Sequence, residues 1–112
     1  MAMGLTTGLW VSAQVRLCDI AFIPATIVRR GDPDAGTVLL KLNRFEEGVT
    51  VYTQASTMTD TPAWSRGTGP QPVTEAEADA YIERQVKYDP DVWVLEIEDR
   101  RGQYQMDGKI VG

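Results

Sequence analysis

The tripeptide Asp-Pro-Asp occurs twice in this chain, at Asp32 to Asp34 and at Asp89 to Asp91, and its four carboxylates are the strongest chemical candidates in the sequence. Hard oxygen donors at that density could hold a magnesium or calcium ion. If the two turns met, Asp32, Asp34, Asp89 and Asp91 would make the metal centre of a small metal-dependent enzyme. The plainer reading is that Pro presets a turn while the flanking aspartates cap backbone amides. No Gly and Glu follow either tripeptide at calcium-loop spacing.

A second chemistry is anion binding. Arg29 and Arg30, with Lys41 and Arg44 on the next extended segment, could share one surface if the two segments pair. Strand alternation sends Arg29 and Arg30 to opposite faces, however, and the surplus carboxylates elsewhere compete for all four as salt-bridge partners. Trp10, Trp64 and Trp93 read as core or interface aromatics in preference to stacking platforms for bases.

Mechanisms that require His fail, and other templates find little support. The chain has no His, which removes the commonest proton shuttle and metal ligand. Its single thiol, Cys18, is followed by Ile20, Ala21 and Phe22 with no activating base nearby, and reads as a buried structural group. Gly67-Thr68-Gly69-Pro70 fits neither a phosphate loop nor a dinucleotide fingerprint. The sequence therefore points to no catalytic residue and no cofactor, with a divalent metal as the one alternative.

These groups must be positioned by a small scaffold. At 112 residues the chain has the size of one domain, and no break in composition divides it. One cysteine allows no intramolecular disulfide, which fits a cytoplasmic protein. No apolar run approaches the roughly 20 residues of a membrane-spanning helix. The net charge of -5 is unevenly distributed: residues 1 to 44 hold five basic and three acidic groups, residues 45 to 112 six and thirteen. That balance speaks against nucleic acid as a partner and for self-association or another protein.

Hydrophobic periodicity supplies the elements. Trp10 to Ile20 fits both a strand alternation and a helical stripe of Val11, Val15, Cys18 and Phe22, and helix is favoured. Ala25 to Arg30, Thr37 to Arg44 and Val49 to Thr53 read as an antiparallel meander, with Val38, Leu40 and Leu42 on one face of its second strand. Residues 55 to 73 form a long Thr-, Pro- and Gly-rich loop with a possible short edge strand at Ala63 to Arg66. Thr74 and Glu77 form a capping box that starts a helix, which Asp89-Pro90 stops. Val92 to Asp99 is a strand with Trp93, Leu95 and Ile97 inward, turning at Arg100-Arg101-Gly102 into a hairpin with Gln103 to Met106. The expected fold is α+β: an antiparallel sheet of about five strands with two helices, in the order α-β-β-β-(β)-α-β-β.

Several strings in this order, Trp10-Val11-Ser12-Ala13, Val28-Arg29-Arg30-Gly31-Asp32-Pro33-Asp34-Ala35-Gly36, Leu40-Lys41-Leu42-Asn43-Arg44, Glu75-Ala76-Glu77-Ala78-Asp79-Ala80-Tyr81-Ile82 and Asp89-Pro90-Asp91-Val92-Trp93-Val94-Leu95-Glu96-Ile97-Glu98-Asp99-Arg100, resemble a family of small, mostly alphaproteobacterial proteins known only as a domain of unknown function. The resemblance implies a bacterial cytoplasmic protein and carries no activity, cofactor or partner. The residues themselves favour a non-catalytic interaction or ligand-binding module, as a homodimer. A metal-dependent enzyme and an anion-binding module are the alternatives.

Overall fold

Hydrophobic residues on both sides of the central strands force a sheet covered on both faces, and that is the architecture seen in the computed structural model, which describes residues 6–55 and 62–111. Helix α1 (Thr7–Ile20) precedes strands β1 (Ala25–Arg29) and β2 (Val38–Asn43), a 3-10 turn (Phe45–Glu47), β3 (Val49–Ala55) and β4 (Ala63–Arg66). Helix α2 (Glu75–Tyr88), β5 (Trp93–Glu98) and the two-residue β6 (Lys109–Ile110) follow. The strands lie in the order β1-β5-β2-β3-β4-β6.

The sheet is mixed, which corrects the antiparallel five-stranded expectation. β5 inserts between β1 and β2, antiparallel to the first and parallel to the second, so β1 and β2 are not hairpin partners. The physical reason lies in β5 itself. Val92 and Val94 are as buried as Trp93, Leu95 and Ile97, so this strand is apolar on both faces and belongs at the centre of the sheet. A strand meant for an edge hairpin would have one wet face.

The expected hairpin after β5 is also absent. Both Asp99 carboxylate oxygens accept main-chain amides, Oδ1 from Gln103 at 2.8 Å and Oδ2 from Tyr104 at 2.9 Å. The chain is thereby turned away from β5 and crosses to the far edge, where β6 pairs in parallel with β4. The short strand at Ala63–Arg66 is present as β4, paired with β3. Of the anticipated long loop, residues 56–61 lie outside the described residues.

α1 is a helix because its buried residues, Thr7, Trp10, Val11, Gln14 and Cys18, recur at helical spacing and face Leu40, Leu95 and Ile97 of the sheet. The predicted stripe was displaced: Val11 and Cys18 are buried, whereas Phe22 is 93% exposed. α2 begins at the expected cap, where Thr74 Oγ1 accepts the Glu77 amide at 3.2 Å and donates to the Glu77 carboxylate at 3.0 Å. Its Ala78, Tyr81, Ile82 and Val86 pack on Leu39, Val51, Val92 and Val94.

Candidate functional site

The two Asp-Pro-Asp turns do meet, but through their main chains. The Asp32 amide donates to the Asp91 carbonyl at 2.9 Å, Trp93 Nε1 donates to the Asp32 carbonyl at 2.8 Å, and Arg29 Nη2 donates to the Pro90 carbonyl at 2.8 Å. A Cβ at Gly31 or Gly36 would collide with the Asp91 carbonyl, so glycine permits this approach. The carboxylates are turned to other tasks. Asp32 Oδ2 accepts the Ala35 amide at 2.7 Å, and Asp89 accepts the Asp91 amide at 3.1 Å and the Thr37 hydroxyl at 3.2 Å. Asp34 and Asp91 extend into solvent. Among the described residues, no group of three or more His, Cys, Asp and Glu side chains is placed to hold a metal ion.

The four basic residues are dispersed. Arg29 is tied to the Pro90 carbonyl, and the Arg30 guanidinium lies 5.9 Å from the centre of the Trp93 ring. Arg44 pairs with Glu47 at 2.9 Å. Lys41 is buried beneath α2, where its ammonium is 2.8 Å from both Glu75 and Asp79 and 3.6 Å from Glu96. Burial alone would lower its pKa, but the hydrogen bonds to Asp79 and Glu75 and the charge of Glu96 outweigh this and hold it above the ordinary lysine value. Lys41 therefore anchors α2 to the sheet.

All three tryptophans are buried. Trp10 and Trp64 pack with ring centres 5.4 Å apart, and both indoles donate to Asp107, Trp10 to Oδ2 at 2.7 Å and Trp64 to the carbonyl at 2.9 Å. Nearby, the Tyr104 hydroxyl donates to Gln14 Oε1 at 2.9 Å. Burial, followed by the proximity of Cys18 and Asp107, raises the Tyr104 pKa; burial, followed by the charge of Asp99, raises that of Cys18. The thiol is thus kept protonated at neutral pH, the opposite of an activated nucleophile.

What remains unsatisfied is apolar surface, and α1 carries three of the large exposed side chains among the described residues. Beside its buried stripe runs a second one, Leu9, Ala13, Leu17 and Ile20, spaced four, four and three residues apart. Leu9, Leu17 and Ile20 are 58%, 60% and 66% exposed. A helix apolar on two sides is built for two contacts. Between α1 and the edge strand β1 lies an open groove of about 750 Å³, with Leu9, Val15, Ile23 and Ala25 among its lining.

α1 ends beside this groove in an unusual cap. The Phe22 amide donates to the Asp19 carbonyl and the Ile23 amide to the Cys18 carbonyl, the paired bonds of a Schellman motif. The left-handed position of that motif, normally glycine, is occupied by Phe22 at a φ of 60°. Sequence reading placed Phe22 on one helical stripe with Val11, Val15 and Cys18. The signal it overlooked is that every turn of α1 carries apolar residues on more than one side.

This fold has solved counterparts. A family model described as protein of unknown function (DUF1491) matches residues 5–107. The chain belongs to the DUF1491 family. It is similar to a DUF1491 protein of Caulobacter crescentus CB15 in its crystal structure (34% identity, TM-score 0.82, 98% of this chain and 100% of that one). The NMR structure of a DUF1491 protein from the same organism gives 35% identity and a TM-score of 0.80 over 99% of this chain and 100% of that one. Protein Atu0922 of A. tumefaciens shares the fold at 24% identity, with a TM-score of 0.73 over 86% of each chain. Among curated proteins, none matches. The DUF1491 assignment agrees with the resemblance read from the sequence strings, and among the described residues no helix is long and apolar enough to cross a membrane.

Proposed function

We propose that this DUF1491 protein is a non-catalytic association module of the bacterial cytoplasm that forms a homodimer through the outer face of α1. The observation that carries the reading is the second apolar stripe, Leu9, Ala13, Leu17 and Ile20, which the single chain leaves in water. Twofold pairing of two α1 helices in antiparallel sense sets the stripe against itself. Ala13 near its middle allows close approach of the helix axes.

The flank of the stripe carries one charge of each sign, which a second copy can face without net repulsion. Arg16 and Asp19 flank the stripe on one side and, among the described residues, neither takes part in an ion pair. In an antiparallel pair like flanks meet, so the flank that carries Arg16 and Asp19 in one copy lies beside the same flank of the other. Pairing through the open edge of β1 is less favourable, because the register shift between Ile27 and Arg29 breaks the regular ladder of donors and acceptors. The single buried thiol accords with a reducing compartment.

Sedimentation equilibrium tests the reading. The wild-type chain should be dimeric at tens of micromolar, and Leu17→Glu should be a folded monomer with unchanged circular dichroism. A wild-type chain that stays monomeric at about 1 mM would overturn it.

A further inference from the structure

We infer that residues 103–111 are a strap that lifts from the core as one unit while the rest of the fold stays intact, and that Asp107 is the latch that holds it down. The inference does not depend on the α1 pairing proposed above.

The strap buries little of itself and covers much. Between β5 and β6 the chain has no helix or strand, and within residues 103–111 only Tyr104 and Met106 are partly buried, the others being exposed. Those two side chains pack on the deepest part of the core, where Trp10, Cys18 and Trp64 are 1%, 2% and 0% exposed. Gln103 and Tyr104 also share with Cys18 the lining of a cavity of about 210 Å³. A segment with so few buried apolar contacts opens at a lower free energy than the strands beneath it. Its lifting lays bare the Trp10–Trp64 pair and the Cys18 thiol together.

Polar contacts hold the strap in place of apolar ones. The Asp99 carboxylate accepts the Gln103 and Tyr104 amides, the Tyr104 hydroxyl donates to Gln14, and Asp107 accepts from both buried indoles. At the far end, β6 adds two residue pairs with β4, Ala63 with Lys109 and Trp64 with Ile110. When the strap lifts, the separated donors and acceptors meet water, so each bond costs far less to break than one left buried and unpaired. Asp107 is the latch because one residue ties the strap to Trp10 and Trp64 at once. Gly102 and Gly108, at φ of 69° and 106°, bracket the segment that carries Tyr104, Met106 and Asp107. Glycine turns of this kind are suited to absorb the change of direction that opening requires.

Cys18 is the single thiol of the chain, so its reaction with dithiobisnitrobenzoate in dilute solution reads the opening. The labelling rate should rise with urea much less steeply than global unfolding does, because a local opening exposes little surface. Without urea, Asp107→Ala should speed labelling at least about tenfold, through loss of a hydrogen bond to a charged group. Tyr104→Phe, which removes only the bond to Gln14, should speed it about threefold or more and carries the comparison if Asp107→Ala does not fold. Lys41→Met, which loosens α2 on the other face of the sheet, should leave it within about twofold. Hydrogen exchange should give the amides of Gln103, Tyr104, Lys109 and Val111 one common opening free energy, below that of the β5 amides. Labelling that follows the full urea dependence of global unfolding, or that Lys41→Met accelerates as much as Asp107→Ala, would overturn the strap. Widely different protection among those four amides would overturn its lifting as one unit. Wild-type labelling by a folded Asp107→Ala would overturn the latch.

Discussion

Asp32 and Asp91, one from each Asp-Pro-Asp turn, are joined by a main-chain hydrogen bond of 2.9 Å. The repeated tripeptide therefore acts as a matched pair of turns at one end of the sheet, with Gly31 and Gly36 making room for the Asp91 carbonyl.

Gly31→Ala should lower stability by about 3 kcal/mol, because its methyl group would meet main chain at Asp91 and Val92 and the Trp93 ring, none of which can withdraw cheaply. Asp34→Asn and Asp91→Asn, on exposed carboxylates, should each change stability by less than about 0.5 kcal/mol. Urea titration of the three variants checks both statements. A loss above 1 kcal/mol for either Asn variant would show that these carboxylates hold the turn pair together.

Lys41→Met should cost about 1–3 kcal/mol, since Glu96 would keep a partly buried carboxylate without its cation. The figure is held down because Glu75 and Asp79 are 56% and 53% exposed and regain water. Hydrogen exchange should localise the loss to α2, whose amides would lose protection before those of β5.

Asp107→Ala removes the carboxylate acceptor of Trp10 and spares the carbonyl that accepts from Trp64. A hydrogen bond to a charged group is worth about 1.5–3 kcal/mol, and a destabilisation of that size is expected. Tryptophan emission should report it directly, through a shift in the native-state maximum.

Stability should fall on the alkaline side. Cys18 and Tyr104 have pKa values raised chiefly by burial, and Lys41 has one raised by its carboxylate partners against the effect of burial. Each keeps its proton in the folded state to a higher pH than in the unfolded chain. The unfolded state therefore binds fewer protons at alkaline pH, and stability decreases as pH rises. The Lys41 contribution is complete below the unfolded lysine value, about 10.4, and is lost as pH climbs through the higher folded value. The thiol and phenol begin to act above about 8.5 and about 10. Urea midpoints should be flat from pH 7 to 8, then decline, and Cys18→Ala should flatten the first part of the decline. An unchanged slope in that variant would assign it to other groups.

Local signals in the sequence were legible wherever neighbours along the chain decide structure. The Thr74–Glu77 cap, the inward Trp93, Leu95 and Ile97, and the short strand at Ala63–Arg66 follow from composition and period alone, although that strand lies inside the sheet, between β3 and β6, and not at its edge. Strand order did not, because β5 reaches its place between β1 and β2 by a crossover that no local pattern encodes. Its position was nevertheless written in Val92 and Val94, which make both faces apolar. Lys41 was readable as the polar face of β2, but its burial depends on α2, more than thirty residues later. The surface argument was the least accessible. An apolar residue that stays in water has the same letter as one in the core, and Phe22 is distinguished only by the backbone at the end of α1.

The central place of β5 also governs when this protein can fold. Among the described residues β1 has no strand neighbour except β5, and β2 has β5 on one side. A chain emerging from the ribosome can pair β2 with β3, and β3 with β4, as soon as each is made. β1 must wait, unpaired, for a segment more than sixty residues further on. Long-range closures of this kind slow folding and leave a strand edge unpaired in the meantime. Residues 93–98 therefore act as the keystone of the nascent chain: ribosome-bound fragments ending before them should remain protease-sensitive, and resistance should appear in one step once they have cleared the exit tunnel.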